Sequence, residues 1–207
     1  MAGEVNMQKR IIIGMTGASG VQYGIRLIEA LDGIAETYLV LSQQARGLVE
    51  FETETDVNAL LTKATFHYSD DDFMSPIASG SFKWDAMVIV PCTMKTLAGV
   101  ANGYADTLIG RAADVTLKEG RKLVIVPREM PLSLIHLENM MKVKQAGAVI
   151  LPASPGFYNK PKTIDDLVNN VVGRILDQIG IDNDVYQRWG EPEKRKDVKP
   201  STSTHIR

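Results

Sequence analysis

The sequence contains few of the residues that build disulfide-linked or metal-centred proteins. Of its 207 residues, one is a cysteine, Cys92, and three are histidines, His67, His136 and His205. A single cysteine cannot form an internal disulfide, and three scattered histidines do not make a zinc-binding set. A chain of this length buries roughly 70% of the surface that its unfolded form exposes, so a hydrophobic core can stabilise it alone. This composition is typical of a reducing cytosol.

Excess charge of one sign and long apolar segments are also missing. The 23 basic and 25 acidic residues leave a formal net charge of −2, which gives no electrostatic footprint for nucleic acid. The basic residues near the amino terminus precede only the short apolar run Ile11–Ile13, which is too short for a signal peptide. No run approaches the roughly 18 apolar residues of a membrane helix. We therefore expect a cytoplasmic protein that binds neither nucleic acid nor membrane.

The sequence does contain an alternation of short apolar runs and longer amphipathic segments. Runs such as Met-Val-Ile-Val, without polar alternation, are typical of strands buried on both faces. The pattern predicts an α/β fold with a parallel sheet covered by helices on both faces. The predicted strands are Ile11 to Met15, Thr37 to Leu41, Ala86 to Val90, Leu123 to Val126 and Ala148 to Leu151. The predicted helices are Ser19 to about Gly33, Ser42 to Phe51, Met94 to Ala101, Asp106 to Glu119, Pro131 to Gln145 and Thr163 to Gly180.

Capping residues mark two of these helices. Ser19 and Gln22 form an S-x-x-Q pattern that predicts a capping box at the first helix, and Thr163 is the predicted N-cap of the last. The segment from Thr65 to Trp84 fits no element, so we expect a functional loop, a mobile loop or an unrecognised strand there. Residues 1–190 are predicted to form a single domain, and the polar residues 191–207 a disordered tail.

Three predicted strands end in proline: Pro91, Pro127 and Pro152. Proline removes a ladder donor, so we expect each strand to stop there. Ligands of open parallel sheets bind outside the carboxyl ends of the strands, which predicts one crevice rimmed by these three loops and the loop Gly14–Gly20. That glycine-rich loop joins a strand to a helix and can hold a phosphate on its amides. It matches neither the dinucleotide nor the nucleoside triphosphate motif, and a tight turn with a serine cap is an equally good interpretation.

Charged residues offer further candidates. Arg111 and Lys118 lie seven residues apart, hence on one face of a predicted helix and about 10 Å apart along its axis. They can bracket an anion, although the spacing alone favours a surface ladder with Asp114. The pair Arg128 and Glu129 directly follows a buried strand, where charges are costly unless they serve a ligand.

The motifs of the chain resemble those of UbiX-type flavin prenyltransferases from about residue 9 to 191, in order and without a large gap. The matching segments are Gly14–Gly24, Thr53–Asp56, Ala78–Ser81, Pro91–Ala98, Arg111–Glu119, Val126–Pro131, Ile135–Met140, Pro155–Tyr158 and Arg188–Gly190. The resemblance implies a Rossmann-like three-layer α/β/α subunit, usually assembled into a homododecamer. It also implies transfer of a dimethylallyl group from dimethylallyl monophosphate to N5 and C6 of reduced FMN. The product, prenylated FMN, would serve a partner UbiD-type decarboxylase.

The resemblance also implies roles for individual residues. FMN contacts are expected from Gly17, Ala18, Ser19, Ser42, Thr93, Met94, Lys95, Thr96 and Arg128. Allyl-phosphate contacts are expected from Gly80, Arg111, Lys118, Tyr158, Arg174 and Trp189. Glu54 and Glu129 match carboxylates beside the reacting atoms, and Ser19 and Lys118 are included among the catalytic candidates.

Physical chemistry agrees with metal-independent transfer. Lysine and arginine can neutralise a monophosphate, whereas diphosphate ionisation usually recruits Mg²⁺ on paired carboxylates. Asp70–Asp72 form a single acidic run, which we interpret as a solvated turn. An FMN-dependent decarboxylase of the cysteine-decarboxylase superfamily is the main alternative, but its P-x-M-N-x-x-M-W motif has no counterpart in Pro152–Pro161. A non-catalytic flavin-storage module is a third possibility, against which Glu54 and Glu129 argue mildly.

Overall fold

A computed structural model describes residues 8–190, and the predicted tail, residues 191–207, lies outside this range. The strands are β1 Lys9–Met15, β2 Ala35–Leu41, β3 Phe66–Ser69, β4 Ala86–Cys92, β5 Lys122–Pro127 and β6 Val149–Ile150. The helices are α1 Val21–Leu31, α2 Gln43–Glu52, α3 Val57–Lys63, α4 Met94–Ala101, α5 Leu108–Lys118, α6 Leu134–Gln145 and α7 Ile164–Gln178. None of the helices in the described range is both long and apolar enough to cross a membrane.

The sheet has the strand order β3-β2-β1-β4-β5-β6, and every neighbouring pair is parallel. The order reverses direction between β1 and β4, which makes their carboxyl ends the switch point where doubly wound folds bind ligands. The predicted mostly parallel, Rossmann-like sheet is confirmed.

The two faces of the sheet carry separate hydrophobic cores. Alternate residues of β1 point in opposite directions, so Ile11 and Ile13 join one core and Ile12 joins the other. The first core is closed by α1, α2, α3 and α7, and the second by α4, α5 and α6. This division of the helices between the two faces determines which site residues can meet within one chain.

Several sequence predictions about elements were incomplete or wrong. The unassigned segment 65–84 contains the strand β3, and the short helix α3 was not predicted. Proline does not end β4, because Pro91 lies inside that strand and Cys92 is its last residue, whereas β5 does stop at its proline, Pro127. The ladder tolerates Pro91 through a register shift between Ile89 and Cys92.

Candidate functional site

A cavity of about 600 Å³ opens at the carboxyl ends of β1, β2 and β4. Its walls include Thr16, Gly17, Ser42, Thr93 and Thr96. The volume falls in the range of about 300 to 1,000 Å³ that is usual for small-molecule and cofactor sites. The crevice predicted from the strand ends is present only in part: the glycine-rich loop and the loop after β4 line it, but no residue that follows Pro127 or Pro152 does, and Ser42 after β2 takes part instead. The cavity lies at the switch point of the sheet.

Side-chain hydroxyl groups cap the N-termini of two helices at this cavity. Ser42 Oγ accepts a hydrogen bond from Ala45 N–H at 3.1 Å and caps α2, and Thr93 Oγ1 accepts from Thr96 N–H at 3.1 Å and caps α4. Thr16 Oγ1 joins the strands, because it donates to Pro91 O at 2.9 Å and accepts from Thr93 N–H at 2.8 Å. The positive ends of α2 and α4 and these hydroxyls provide a polar wall that suits an anion.

The glycine-rich loop lies against the start of α2. A Cβ on Gly17 would collide with Gln44 Cβ, so this position requires glycine for close backbone approach. The loop supplies Gly17 to the cavity wall, while Ala18 is buried and Ser19 is exposed.

The predicted capping box of Ser19 and Gln22 is wrong. Helix α1 begins at Val21, with Gly20 as its N-cap at a φ of 101°. The acceptor for its free amides comes instead from the end of α2, because Glu52 Oε2 lies 2.8 Å from Gly20 N and 3.4 Å from Val21 N. A carboxylate at a helix N-terminus is favourable for the same reason that a phosphate is. Glu52 therefore fills the position that the sequence assigned to a serine cap or a phosphate.

Arg128 connects the end of β5 to the same loop. Its Nε donates to the carbonyl oxygen of Ser19 at 3.0 Å. Arg128 and Glu129 are both exposed, and Glu129 accepts a hydrogen bond from the neighbouring Met130 N–H at 3.0 Å. The expectation that charges directly after this buried strand are costly is wrong, because β5 ends at Pro127 and both charged residues are exposed to solvent.

Asp70 is a residue of the cavity wall that the sequence did not indicate. It was interpreted as part of a solvated turn, but it is half-buried and accepts from Ile109 N–H at 2.9 Å at the start of α5. Burial raises the pKa of its carboxyl group, and the hydrogen bond from Ile109 N–H opposes that change. Asp106 lies on the same wall with its carboxylate 4.0 Å from the ammonium group of Lys95. Both carboxylates enter the site through tertiary contacts and match no motif.

Two of the predicted anion-binding cations project from α5 beside the loop that carries Gly80. Arg111 Nε donates to Ala78 O at 3.1 Å and its guanidinium pairs with Asp114 at 2.9 Å, as the spacing suggested. Lys118 pairs with Glu119 at 2.5 Å rather than with Asp114. A Cβ on Gly80 would lie 2.9 Å from Lys118 Nζ. These three predicted residues therefore form one group, which we name the α5 cluster.

The other predicted anion-binding residues form a second group near the end of α7. The rings of Tyr158 and Trp189 are edge to face, with centroids 5.4 Å apart. Arg174 lies on α7, with its guanidinium 3.3 Å from Asp177. We name Tyr158, Arg174 and Trp189 the α7 cluster.

The α5 and α7 clusters belong to helices on opposite faces of the sheet. One phosphate cannot contact both clusters of the same chain, because the sheet and its two cores separate them. Glu54 lies in the short connection between α2 and α3, where it is exposed. Glu52, two residues earlier, contacts the start of α1, but Glu54 itself is not among the residues that line the cavity.

Comparison with known proteins identifies the family. The sequence profile named Flavoprotein matches residues 2–176. The "Flavin prenyltransferase UbiX" of Methanocaldococcus jannaschii is 52% identical over 181 residues, which cover 87% of this chain and 98% of that protein.

Two solved structures are similar to this chain over most of its length. The structure of AnUbiX (PadA1) in complex with FMN and dimethylallyl pyrophosphate has a TM-score of 0.88 and 45% identity, and the match covers 90% of this chain and 100% of that one. A dodecameric FMN-dependent UbiX-like decarboxylase from Escherichia coli O157:H7 has a TM-score of 0.86 and 49% identity, over 88% of this chain and 100% of that one. The chain therefore belongs to the flavoprotein family and, within it, to the UbiX-type flavin prenyltransferases.

Proposed function

We propose that this protein is a flavin prenyltransferase that transfers a dimethylallyl group to N5 and C6 of reduced FMN. One observation carries the proposal: the loops that the resemblance assigned to the flavin, around Gly17, Ser42 and Thr93, surround a single cavity at the switch point. The reduced flavin supplies the electron-rich ring atoms that accept the allyl group. The protein supplies the binding sites, the countercharge and the proton transfers.

The residues at the cavity fit FMN. Ser42, Thr93 and Thr96 present hydroxyl groups where α2 and α4 begin, which suits a phosphate monoester. Gly17 lets the backbone approach closely, and Ala18 and Ser19 continue the same loop. Met94 and Lys95 begin α4 beside them, and Arg128 reaches this loop from β5. We propose these residues as the FMN-binding set.

The allyl phosphate needs cations from two protomers. Arg111 and Lys118 offer positive charge from α5, and Arg174 offers it from α7 on the opposite face of the sheet. A site that uses all three must combine the α5 cluster of one copy with the α7 cluster of another. The dodecameric neighbour supports a homo-oligomer, and we propose a dodecamer for this chain.

An exposed apolar segment supports the same conclusion. Met130, Leu134, Ile135, Leu137 and Met141 are each between 49% and 86% exposed, along the loop before α6 and on α6 itself. Apolar groups in such a contiguous run are typical of a surface that another protein covers. We propose that copies of this chain cover it in the assembly.

Carboxylates are the proposed proton carriers. Bond formation at N5 breaks the allyl C–O bond, and departure of the phosphate benefits from a proton donor. Bond formation at C6 uses the double bond of the allyl group, which takes up a proton, and leaves on C6 a proton that a base must remove. We assign the transfer to Glu54, with Glu129 as the second candidate carboxylate. The departing phosphate is the alternative base.

The proposal also covers the prenyl donor, the product and the enzyme that receives the product. The donor is dimethylallyl monophosphate, whose charge Arg111, Lys118 and Arg174 can neutralise without a metal ion. The product is prenylated FMN, delivered to a UbiD-type decarboxylase in the cytoplasm. A single flavin-binding domain, residues 1–190, carries all of these functions.

The deciding experiment is anaerobic incubation with reduced FMN and dimethylallyl monophosphate, followed by mass analysis of the flavin. We expect a flavin heavier by one dimethylallyl group, and a parallel reaction with the diphosphate identifies the preferred donor. An unchanged flavin mass with folded, FMN-loaded protein would exclude the transferase. Release of carbon dioxide from a cysteinyl peptide would favour the cysteine-decarboxylase alternative.

A further inference from the structure

The last described residues, 181–190, run back along α7 without forming a helix or strand, and we name them the C-terminal strap. The strap carries Trp189, whose ring packs edge to face on Tyr158. Tyr158 also donates from its hydroxyl group to Gln187 O at 3.3 Å. The position of the strap therefore sets the position of both aromatic side chains of the α7 cluster.

Apolar packing against the first core involves two residues of the strap, Ile181 and Val185. Within residues 181–190 only Ile181 is buried, and Trp189 is 80% exposed. The strap is held mainly by polar contacts to one side chain of α7, Asp177, which is 16% exposed.

Asp177 accepts hydrogen bonds from several groups at once. Arg188 binds it with both guanidinium ends, Nη2 to Oδ1 at 2.7 Å and Nη1 to Oδ2 at 2.8 Å. Tyr186 donates its hydroxyl to Oδ2 at 2.8 Å, and Asn183 donates from Nδ2 to Oδ1 at 3.0 Å. Bidentate, charge-assisted contacts of this kind combine strength with a fixed geometry.

The same carboxylate also holds a predicted substrate contact. Arg174 Nη1 lies 3.3 Å from Asp177 Oδ2, one turn earlier on α7. Tyr186 packs directly on Gly173, where any Cβ would collide with its ring. Asp177 thus contacts both Arg174 and the strap, and its Oδ2 is the acceptor that Arg174, Tyr186 and Arg188 share.

We propose that Asp177 is a positioning residue for the allyl phosphate. It holds the strap through Arg188 and Tyr186, and the strap in turn positions Tyr158 and Trp189. Asp177 also holds Arg174 directly, so it fixes all three side chains of the α7 cluster. The proposal rests on the proposed function. Several polar contacts thus hold a segment that carries an exposed tryptophan beside a predicted substrate contact. Asp177 itself touches no reacting atom.

The test compares Asp177→Ala and Arg188→Lys with wild type, and with Asp182→Ala as the control for loss of an exposed carboxylate on the strap. Lysine keeps the charge of Arg188 but cannot make the two-pronged contact. For both variants we expect the KM for dimethylallyl monophosphate to rise about tenfold or more, because the two-pronged contact between Asp177 and Arg188 is lost and the α7 cluster is no longer held in place. FMN retention should not change, since the flavin loops lie on other elements, and Asp182→Ala should behave as wild type.

A second readout separates this proposal from the proposed function. The chain has two tryptophans, so subtracting the emission of a Trp189→Phe variant isolates the Trp189 signal. Titration with dimethylallyl monophosphate alone should change this signal in wild type at lower concentrations than in Asp177→Ala. If wild type makes no prenylated flavin, the proposed function fails, but this titration still decides the role of Asp177. Equal KM and equal titration midpoints in folded Asp177→Ala and wild type would overturn the positioning role.

Discussion

Complementation between two weakened variants tests the placement of the anion-binding cations on opposite faces of the sheet. Arg111 extends from α5 and Arg174 from α7, and the two helices close different cores. Each arginine should contribute a charge-assisted contact to the phosphate worth about 1.5 to 3 kcal/mol, so Arg111→Ala and Arg174→Ala should each lower kcat/KM roughly 10- to 150-fold.

Co-expression of the two variants with different tags should restore activity. If one protomer supplies α5 and another supplies α7, half of the α5 donors and half of the α7 donors keep their arginine. With random assembly, about a quarter of the sites are then intact, and the mixed enzyme should reach about a quarter of wild-type activity. The assay is the flavin mass measurement on doubly purified assemblies.

A matched control uses two variants of the same cluster. Arg111→Ala and Lys118→Ala both alter α5, so every mixed site lacks one of the two cations, and we expect no recovery. Mixed Arg111→Ala and Arg174→Ala assemblies that are no more active than the separate variants would refute the shared site. Full activity of a monomer would refute it equally.

Four further outcomes follow from the geometry. Glu54→Gln should retain FMN and bind the allyl phosphate but lose roughly 10²- to 10⁴-fold in turnover; wild-type turnover would return the proton transfer to the phosphate or to Glu129. Gly17→Ala should lose FMN on gel filtration because its Cβ meets Gln44, whereas Gly47→Ala, with no atom within 4 Å of its Cβ, should keep the flavin. A chelator should leave turnover unchanged, and abolished turnover that Mg²⁺ restores would contradict cation-only neutralisation. Burial raises the pKa of Asp177, but hydrogen bonds from Arg188, Tyr186 and Asn183 outweigh it and lower that pKa in the folded protein. The stability that the ionised carboxylate contributes is therefore complete above its ordinary pKa of 3.8 and is lost as the pH falls through the lower folded value. The Tm difference between wild type and Asp177→Asn should shrink in acid, and a constant difference would argue against the ionised carboxylate as the anchor.

The parts of the fold that the sequence predicted well are those buried on both sides. The continuous apolar runs of β1, β4 and β5 reflect a sheet between two cores, and each was predicted within two residues at either end. β3 escaped prediction because it is an edge strand with the pattern Phe-His-Tyr-Ser, of which none is buried. α3 is only seven residues long, too short for helical periodicity to be clear.

The site could be predicted only where local sequence determines it. Thr93 and Ser42 cap helices through residues three positions away, so their placement follows from the chain itself. Glu52 reaches Gly20 across 32 residues, and Asp70 reaches Ile109 across 39. No spacing rule relates such pairs, because their distance is set by the packing of α2 on α1 and of β3 beside α5.

Glu52 also changes where the phosphate of FMN is expected to bind. The glycine-rich loop before α1 looks like the natural anion site, but the amides of Gly20 and Val21 already have a carboxylate partner. A second anion there would repel Glu52 across a helix end that offers only about half a unit of positive charge. The N-termini of α2 and α4 lie at the cavity with hydroxyl groups of Ser42 and Thr93 instead of a carboxylate. We therefore expect the phosphate on those two helices, with the glycine-rich loop serving as a close backbone wall for the rest of the flavin.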